Sequence, residues 1–360
     1  MKSVLARLSI ALASLLFALV VAELAARAFH LLPHWRQPVR YLVRDGERVP
    51  VGAAELRMPG SPLFRPGLVY ETCYDTRFGA RRATMDERGC VPSVLNAHGW
   101  RGPDVPFERT GAVRFIAVGD SLTYGEGVPY ECTWPAVLAR ELEQELGRSD
   151  PARAVEVVDL AVPAVNLPEI RAIVESFVPP YHADLVVYAF FLNDAWLPGT
   201  NVKASIGAER RIQSLVGDEP AGLAGYCELW RGFLLWRARR VEREAAPHLQ
   251  VYDPASDNWQ RCAAHLRAIR AAIEGSGARF LVAILPEVRP APDRYPFTQV
   301  HAWLHEWFTA EGIAWVDLLD APWIAPEALR VHPTDLHPNE IGHRCIADAL
   351  LPAVLARVQR

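Results

Sequence analysis

The stretch FIAVGDSLTYGEGV, residues 115–128, begins as an apolar run of strand length and breaks into Gly119-Asp120-Ser121. A serine at a tight strand-to-helix turn can present its hydroxyl and its own N–H to one cavity, provided that its neighbours are small or turn-forming. Gly119 and Asp120 meet that condition. The alternative is that Asp120 or Ser121 only caps a helix. The stretch lacks Gly-Lys-Ser/Thr and the dinucleotide fingerprint, so Ser121 is better explained as a candidate nucleophile than as part of a phosphate loop.

Short apolar runs alternate with helical patterns from about residue 114 onward. Runs of strand length lie at 113–118, 155–160, 184–191, 279–285 and 313–319. Helical patterns lie between and after them at 134–146, 167–177, 259–275, 298–311 and 340–357. This alternation predicts an α/β fold in which βαβ units form a parallel sheet of about five strands with helices on both faces.

Two regions fall outside the alternation. Residues 33–112 are rich in Arg, Pro and Gly and are predicted to be an irregular leader packed on the domain at 113–360. Residues 195–257 are predicted to be a long insertion, partly helical across CELWRGFLLWRARRVEREA. The insertion follows a strand end, where long loops commonly form the walls of a binding site.

Composition limits the class of protein. The 360 residues are 51% hydrophobic and 22% charged, as in a globular protein with a sizeable core. The formal net charge is −4, and no basic stripe is interleaved with aromatic residues. These features argue against a nucleic-acid partner.

The amino-terminal segment has the pattern of an export signal. Lys2 and Arg7 precede an apolar stretch at 8–22, and positive residues in that position keep the amino end in the cytoplasm. The stretch is long enough to span a membrane if the two charged residues after it snorkel to the outer interface. Residues 1–32 are therefore expected to be a signal peptide or a signal anchor, with the rest of the chain periplasmic or extracellular. A core helix is disfavoured because the segment has no polar face.

The six cysteines do not form a dense framework. Cys73 and Cys90 flank a polar, Arg-rich loop, which predicts a disulfide in an oxidising compartment. Cys227 and Cys262 are a second, weaker candidate pair. The others lie in apolar helical patterns and are predicted to be buried free thiols: Cys132 and Cys345. No Cys-x-x-Cys motif or Cys/His cluster has zinc-ligand spacing, so no structural metal is expected.

Polar residues follow two other predicted elements. In FLND, at the end of the strand 184–191, the Asn193 amide can donate to a developing oxyanion, and Asp194 is expected to fix the turn. In HPTDLHPNEIGHRCIADALL, Asp335 can orient the imidazole of His337, which supplies the base that a serine requires. Ordinary turn chemistry would explain each stretch alone. Because ligands bind beyond the carboxyl ends of parallel strands, the three sites together predict one cleft.

These residues resemble the motifs of the SGNH hydrolases, also called the GDSL esterase/lipase family. The matching blocks are GDSL at 119–122, ND at 193–194 and DLHPN at 335–339, and LNAHGWRGPDVP resembles the leader of exported bacterial members. The resemblance implies a flavodoxin-like three-layer α/β/α domain and no metal or organic cofactor. It also implies specific roles: Ser121 as nucleophile, His337 as base, Asp335 as its orienter, and an oxyanion hole formed by Ser121 N–H, Ala164 N–H and the Asn193 side chain.

The sequence departs from the family pattern at three positions. Ala164 stands where the family usually has glycine as an oxyanion donor, and Phe191 replaces a glycine before the third block. The acid of the family often lies three residues before the histidine, where this chain has Thr334. Asp335, two residues before the histidine as in some members, is therefore expected to be the acid.

The function expected from these residues is hydrolysis of an ester through an acyl-enzyme, with an O-acetylated glycan as one candidate substrate. An O-acyltransferase acting on a polysaccharide would use the same triad. A third alternative is an inactive glycan-binding module in which Trp196, Trp230 and Trp236 stack on sugars. Core or interface packing is the common role of such residues.

Overall fold

The described chain forms two compact units. The computed structural model describes residues 2–32, 36–77, 81–148, 150, 152–198, 211–212, 214–216, 220, 222–242, 246–287, 295–321 and 326–359. The smaller unit comprises Met1–Gln37 and Lys203–Glu244, and the larger comprises Pro38–Val202 and Ala245–Arg360. Several residues of the predicted insertion lie outside the described ones: 199–210, 213, 217–219, 221 and 243–245.

The elements are numbered along the chain. The helices are α1 Lys2–Ala28, α2 Ser121–Tyr124, α3 Trp134–Gly147, α4 Leu167–Phe177, α5 Glu228–Glu242, α6 Ala246–Tyr252, α7 Asp257–Gly275, α8 Thr298–Ala310 and α9 Glu340–Val358. The strands are β1 Val39–Arg44, β2 Glu47–Val51, β3 Val69–Cys73, β4 Cys90–Val94, β5 Val113–Gly119, β6 Val155–Asp159, β7 Leu185–Phe191, β8 Arg279–Leu285, β9 Trp315–Asp317, β10 Arg330–His332 and β11 Asp335–Pro338.

The centre of the larger unit is a parallel sheet with the order β6-β5-β7-β8-β9 among the described strands. This is the flavodoxin-like order, in which the second strand along the chain lies outside the first. The strands and helices of the alternation begin and end within two residues of the predicted bounds. The predicted three-layer α/β/α fold is confirmed.

Alternate residues of the central strands face opposite helix layers. Phe115 and Val187 lie in one buried cluster with residues of α3 and α9. On the other face, the Phe190 ring lies 6.1 Å from Phe308 of α8 and 6.3 Å from Tyr252 of α6, measured between ring centroids. Both faces of the sheet are therefore buried, which explains why its strands consist of nearly continuous apolar runs.

The prediction of an irregular leader is wrong over β1 to β4. These strands form an antiparallel sheet in the order β2-β1-β3-β4. In β3, VYETC, burial alternates from residue to residue, so only one face is buried and no long apolar run marks the strand. Leader residues Phe64 and Tyr70 pack in one buried cluster with Tyr124 and Ala161 of the sheet domain.

The cysteine pairing is partly as predicted. Cys73 and Cys90 face each other in the register of β3 and β4 and form a disulfide. The prediction of a Cys227–Cys262 disulfide is wrong, because both thiols are free and lie in different units. The remaining thiols are free as predicted, but they are half-buried rather than buried: Cys132 and Cys345.

In the smaller unit, the carboxyl-terminal part of α1 is hydrogen-bonded to the start of α5. The Glu23 carboxylate accepts hydrogen bonds from the N–H groups of Glu228 and Leu229 at 2.8 and 2.9 Å. It also forms an ion pair with Arg27 at 2.7 Å. Residues 4–28 of α1 are long and apolar enough to cross a membrane, a property of length and composition that a signal sequence shares.

Removing the disulfide should destabilise the larger unit. The Cys73→Ala/Cys90→Ala variant frees a loop with a sequence separation of 17 residues. A disulfide that closes a loop of that size stabilises the folded state by about 3 kcal/mol, because it lowers the conformational entropy of the unfolded chain. We expect urea unfolding of the full chain in detergent, followed by tryptophan fluorescence, to show a loss of that order. Cys132→Ala, which removes a free thiol, should cost much less; equal losses in the two variants would contradict this assignment.

Candidate active site

The turn after β5 holds Ser121 at the start of α2. Asp120 precedes it, and the Asp120 Oδ1 atom accepts the Leu122 N–H at 2.9 Å. Gly119 has no room for a side chain, because a Cβ there would lie 2.2 Å from Thr123 Oγ1. Asp120 therefore caps the short helix, as one alternative proposed, and this arrangement leaves the Ser121 hydroxyl for another partner.

That partner is His337. The His337 Nε2 atom lies 2.8 Å from Ser121 Oγ, although the two residues are 216 positions apart. On the other side of the ring, His337 Nδ1 is hydrogen-bonded to Asp335 Oδ1, which also accepts the His337 backbone N–H at 3.1 Å. Ser121, His337 and Asp335 thus form one continuous hydrogen-bonded chain.

A residue of the leader completes the surroundings of Asp335. The Tyr74 hydroxyl donates to Asp335 Oδ2 at 2.9 Å, so both carboxylate oxygens are hydrogen-bonded. Tyr74 is itself buried in a cluster with Met85, Val91 and Val331. Sequence reasoning missed Tyr74, because no motif or spacing connects a leader residue with a histidine near the carboxyl end.

The ionisation of Asp335 and His337 is shifted in opposite directions. Burial raises the pKa of Asp335, but the charge of His337 and the hydrogen bonds to the carboxylate outweigh it and hold this pKa at about 2. Burial lowers the pKa of His337, but Asp335, with help from Glu126 and Asp120, raises it to about 9. In the free site at neutral pH the two groups therefore form an ion pair, and the imidazole becomes neutral only above the raised pKa.

Two arginines of the leader hold the loop that follows α2. The Arg101 guanidinium donates to the carbonyl oxygens of Tyr124, Gly125 and Val128, each at 2.8 Å. Arg40 forms an ion pair at 2.6 Å with Glu126. The charge of Glu126 in turn contributes to the raised pKa of His337.

Arg82 makes the same kind of link to the last helix. Its guanidinium donates to the Gly127 carbonyl and to the Glu340 carboxylate at the start of α9. The Arg-rich composition of the leader was visible in the sequence, but the targets of these arginines were not. The leader therefore forms part of the site.

The turn after β7 places Asn193 near the serine. The Asp194 carboxylate is buried and accepts the Tyr188 hydroxyl at 2.7 Å and the Phe191 N–H at 3.0 Å, so it fixes the turn. The Asn193 side chain interacts with Asp120: burial raises the pKa of Asp120, whereas the Leu122 N–H, His337 and Asn193 lower it. Asn193 therefore lies beside the residue that precedes Ser121.

The chain after β6 runs along the same turn. The Val162 N–H donates to the Gly119 carbonyl at 3.2 Å. Two residues later, Ala164 has φ of +58°, the left-handed conformation in which glycine is ordinarily favoured. The backbone at 164 thus adopts the geometry typical of glycine with an alanine side chain.

The two histidines that lie near His337 in the sequence have partners other than Ser121. His332 is hydrogen-bonded to the Thr334 hydroxyl and the Asp75 carbonyl, each at 2.8 Å. His343 Nδ1 accepts the backbone N–H of Trp134 at 3.1 Å, and burial lowers the pKa of His343 to about 3. Thr334, at the position where the family acid often lies, therefore belongs to His332 rather than to His337.

The three tryptophans proposed as a sugar platform lie in different units. Trp196 is half-buried in the larger unit, where its backbone N–H donates to the Asn193 carbonyl at 2.9 Å. Trp230 and Trp236 are exposed on α5 of the smaller unit. Neither unit therefore contains all three tryptophans in one sugar-binding surface.

Two groups of described residues have metal-ligand chemistry. In one, Asp317 Oδ2 accepts hydrogen bonds from His301 at 2.7 Å and His305 at 2.5 Å, and Asp317 Oδ1 accepts the Leu319 N–H at 2.8 Å. These three side chains are already hydrogen-bonded to one another, so holding α8 against β9 is a sufficient explanation of the cluster. The other group pairs Glu71 with the disulfide sulfurs, which are not thiolate ligands.

Comparison with known proteins identifies the family. Residues 117–345 match the model of the GDSL-like lipase/acylhydrolase family. Similar solved structures include the psychrotrophic esterase EstA from a Pseudoalteromonas species, at 11% identity, covering 69% of this chain and 100% of that chain with a TM-score of 0.41. Another is a catalytic mutant of Axe2, an acetylxylan esterase from Geobacillus stearothermophilus, at 16% identity, covering 68% and 95% with a TM-score of 0.41. No curated protein matches the chain. Since the family match spans more than half of its length, the chain belongs to the GDSL-like lipase/acylhydrolase family.

Proposed function

We propose that this protein is a serine ester hydrolase that acts through an acyl-enzyme, with Ser121, His337 and Asp335 as its catalytic triad. The observation that carries the proposal is the 2.8 Å contact between His337 Nε2 and Ser121 Oγ, with Asp335 hydrogen-bonded to the opposite ring nitrogen. A nucleophile, a base and an orienting acid in this geometry are the groups that acyl transfer uses, and they support the proposal.

The reaction follows from these positions. His337 in its neutral form takes the Ser121 proton as Oγ attacks the ester carbonyl, and Asp335 stabilises the resulting imidazolium. The imidazolium then protonates the departing alcohol. Water, deprotonated by His337, next attacks the acyl-enzyme, which releases the acid and restores Ser121. The oxyanion would be held by the N–H groups of Ser121 and Ala164 and by Asn193; losing one such donor typically costs about 2.7–4 kcal/mol of transition-state stabilisation.

The proposed substrates are esters of short acyl groups, such as O-acetyl groups on a glycan. Phe191 supports the acyl preference, since it stands at the end of β7, two residues before Asn193, where the family usually has glycine. Phe191 packs against the buried cluster between the sheet and α3 and α9, and a side chain in place of glycine there would leave less room beside Asn193 for a long acyl chain.

We also propose that α1 remains as an anchor, with the catalytic unit outside the cytoplasm. Lys2 and Arg7 favour a cytoplasmic amino end. Glu23 supports retention, because its carboxylate accepts the N–H groups of Glu228 and Leu229 at the start of α5. Cleavage after α1 would leave those backbone donors without their cap.

The first test is covalent labelling with a fluorophosphonate. Wild-type protein should be modified stoichiometrically at Ser121, and Ser121→Ala should be unlabelled, with kcat toward an acetyl ester reduced by roughly 10⁴- to 10⁶-fold. Ser256→Ala removes a serine that caps α7, so it controls for general loss of folding and should still be labelled. An unlabelled wild-type protein with an intact fold would contradict the enzyme assignment and favour a binding module.

The same preparation separates hydrolysis from transfer. Incubation with an acetyl ester, with and without a polysaccharide, should release acetate at the same rate in both cases. Accumulation of acetylated polysaccharide at the expense of acetate would instead assign the protein as an O-acyltransferase.

The rate should depend on the ionisation of His337. Its pKa is raised to about 9 and only the neutral imidazole accepts a proton, so kcat/KM should increase with pH to a plateau above that value. Glu126 contributes to the raised pKa, so Glu126→Gln should move the midpoint to lower pH. Glu131→Gln, an exposed change outside the site, should leave the profile unchanged. A midpoint that stays in place or rises in Glu126→Gln would refute this electrostatic coupling.

Tyr74 should act as a positioning residue. Tyr74→Phe removes the hydrogen bond to Asp335, and hydrogen bonds to charged groups contribute about 1.5–3 kcal/mol, so kcat should fall by roughly 10-fold or more. KM should change little, because the hydroxyl contacts Asp335. Tyr70→Phe is the matched control, since its buried hydroxyl is paired with Tyr124 at 2.7 Å instead. Equal losses in the two variants would indicate a general packing effect.

A further inference from the structure

Helix α5 has two faces of different character. On one side, Arg231 and Leu235 are buried, and the Arg231 guanidinium donates to the Leu215 carbonyl at 2.9 Å. On the other, Trp230, Phe233 and Trp236 are 42%, 45% and 57% exposed. Residues three apart lie on the same side of a helix, so the aromatic rings form a continuous strip, which we call the aromatic face.

The aromatic face is an ordered stack rather than a set of scattered side chains. Ring centroids are 5.4 Å apart between Trp230 and Phe233 and 6.0 Å apart between Phe233 and Trp236, and both pairs are stacked. Leu223 and Tyr226, just before α5, are 70% and 80% exposed and enlarge the apolar surface of the smaller unit. Contiguous exposed apolar surface of this kind marks an interaction site.

Arginines lie beside these rings. The Arg240 guanidinium is 5.8 Å from the centroid of the Trp236 ring, and Arg237 and Arg239 are also exposed near the end of α5. Tryptophan with arginine on a helix is the composition of segments that lie in the membrane interface, where rings enter the acyl boundary and guanidinium groups meet lipid phosphates.

The start of α5 is fixed at the end of the apolar helix. Glu23 caps α5 through the Glu228 and Leu229 N–H groups, and Arg27 donates to the Tyr226 carbonyl. Glu23 and Arg27 lie in the last turns of the span-length segment and are paired with each other. If α1 spans the bilayer, these contacts place the beginning of α5 at the level where the acyl region ends.

We propose that α5 lies in the outer interface of the phospholipid bilayer, with the aromatic face in the acyl boundary and the arginines at the headgroup phosphates. The occupant is a lipid surface because the face is continuous with a helix of membrane-spanning length and is flanked by cations. The proposal rests on the anchoring of α1 in the proposed function. It assigns Trp230 and Trp236 to membrane contact rather than to sugar binding.

Tryptophan quenching tests this arrangement on the full chain in vesicles of phosphatidylcholine and phosphatidylglycerol. No tryptophan occurs in α1, so the difference in emission between wild type and Trp230→Phe/Trp236→Phe isolates the aromatic face. We expect at least half of that difference signal to be quenched by lipids brominated near the headgroup end of the acyl chains, and less by lipids brominated at the chain ends. The matched control, Trp303→Phe/Trp307→Phe in α8, should give a difference signal that neither lipid quenches.

Trypsin provides a second measurement. The arginines of α5 should be cleaved several-fold more slowly in vesicles than in detergent, and Trp230→Ser/Phe233→Ser/Trp236→Ser should abolish that protection while the chain still floats with the vesicles. A floating protein with an unquenched difference signal would overturn the proposal. So would a difference signal that responds to soluble xylo-oligosaccharides and not to brominated lipid, which would assign a sugar-binding face. Failure of the chain to float would refute both the anchor and the membrane contact of α5, whereas ester hydrolysis is measured independently.

Discussion

The hydrogen bond between Ser121 and His337 is the constraint that the arrangement of the site must meet, because its partners come from opposite ends of the domain. Ser121 is fixed by the end of β5, whereas His337 lies on β11 and needs its own support. Asn339 supplies it: its side chain accepts the N–H groups of Ile341 and Gly342 and donates to the Ala328 and Arg330 carbonyls. One residue thus caps α9 and secures the β10–β11 hairpin that presents the imidazole.

The electrostatics of the site favour the charge state that follows proton transfer. His337 is surrounded by the carboxylates of Asp335, Glu126 and Asp120, which raise its pKa. In the proposed mechanism, the same field that keeps the resting imidazole protonated would also stabilise the imidazolium formed when Ser121 gives up its proton, and so lower the energy of the charged transition state. The ion pair of Arg40 with Glu126 limits this field, since the guanidinium offsets one of the carboxylates. The same carboxylates therefore have two opposing effects. They make His337 a stronger base, and they lower the fraction of His337 that is neutral at a given pH.

Sequence reasoning found the parts of the fold and site that follow from local pattern. The parallel strands are buried on both faces and leave continuous apolar runs, and polar residues at their ends must meet at one edge of the sheet, so Ser121 and Asn193 were found from position. The leader strands were missed because alternating burial in a half-exposed sheet leaves no such run. Tyr74 was missed for another reason: its contact with Asp335 joins residues 261 positions apart and leaves no local signature. The Cys227–Cys262 pairing failed because an even number of cysteines carries no information on distance.

The leader links the proposed catalytic residues to the redox chemistry of the compartment. Tyr74 directly follows Cys73, whose disulfide to Cys90 joins β3 and β4 beside the position from which the hydroxyl reaches Asp335. Disulfides form and persist in oxidising compartments and are rare where thiols are kept reduced. The proposed export of the larger unit would therefore place it where this covalent link forms, and the link restrains the strand that delivers Tyr74. In the proposed arrangement, the apolar helix would direct the larger unit to an oxidising compartment, where the disulfide forms. The disulfide then restrains the strand from which Tyr74 orients Asp335, and Asp335 in turn holds the imidazole of His337.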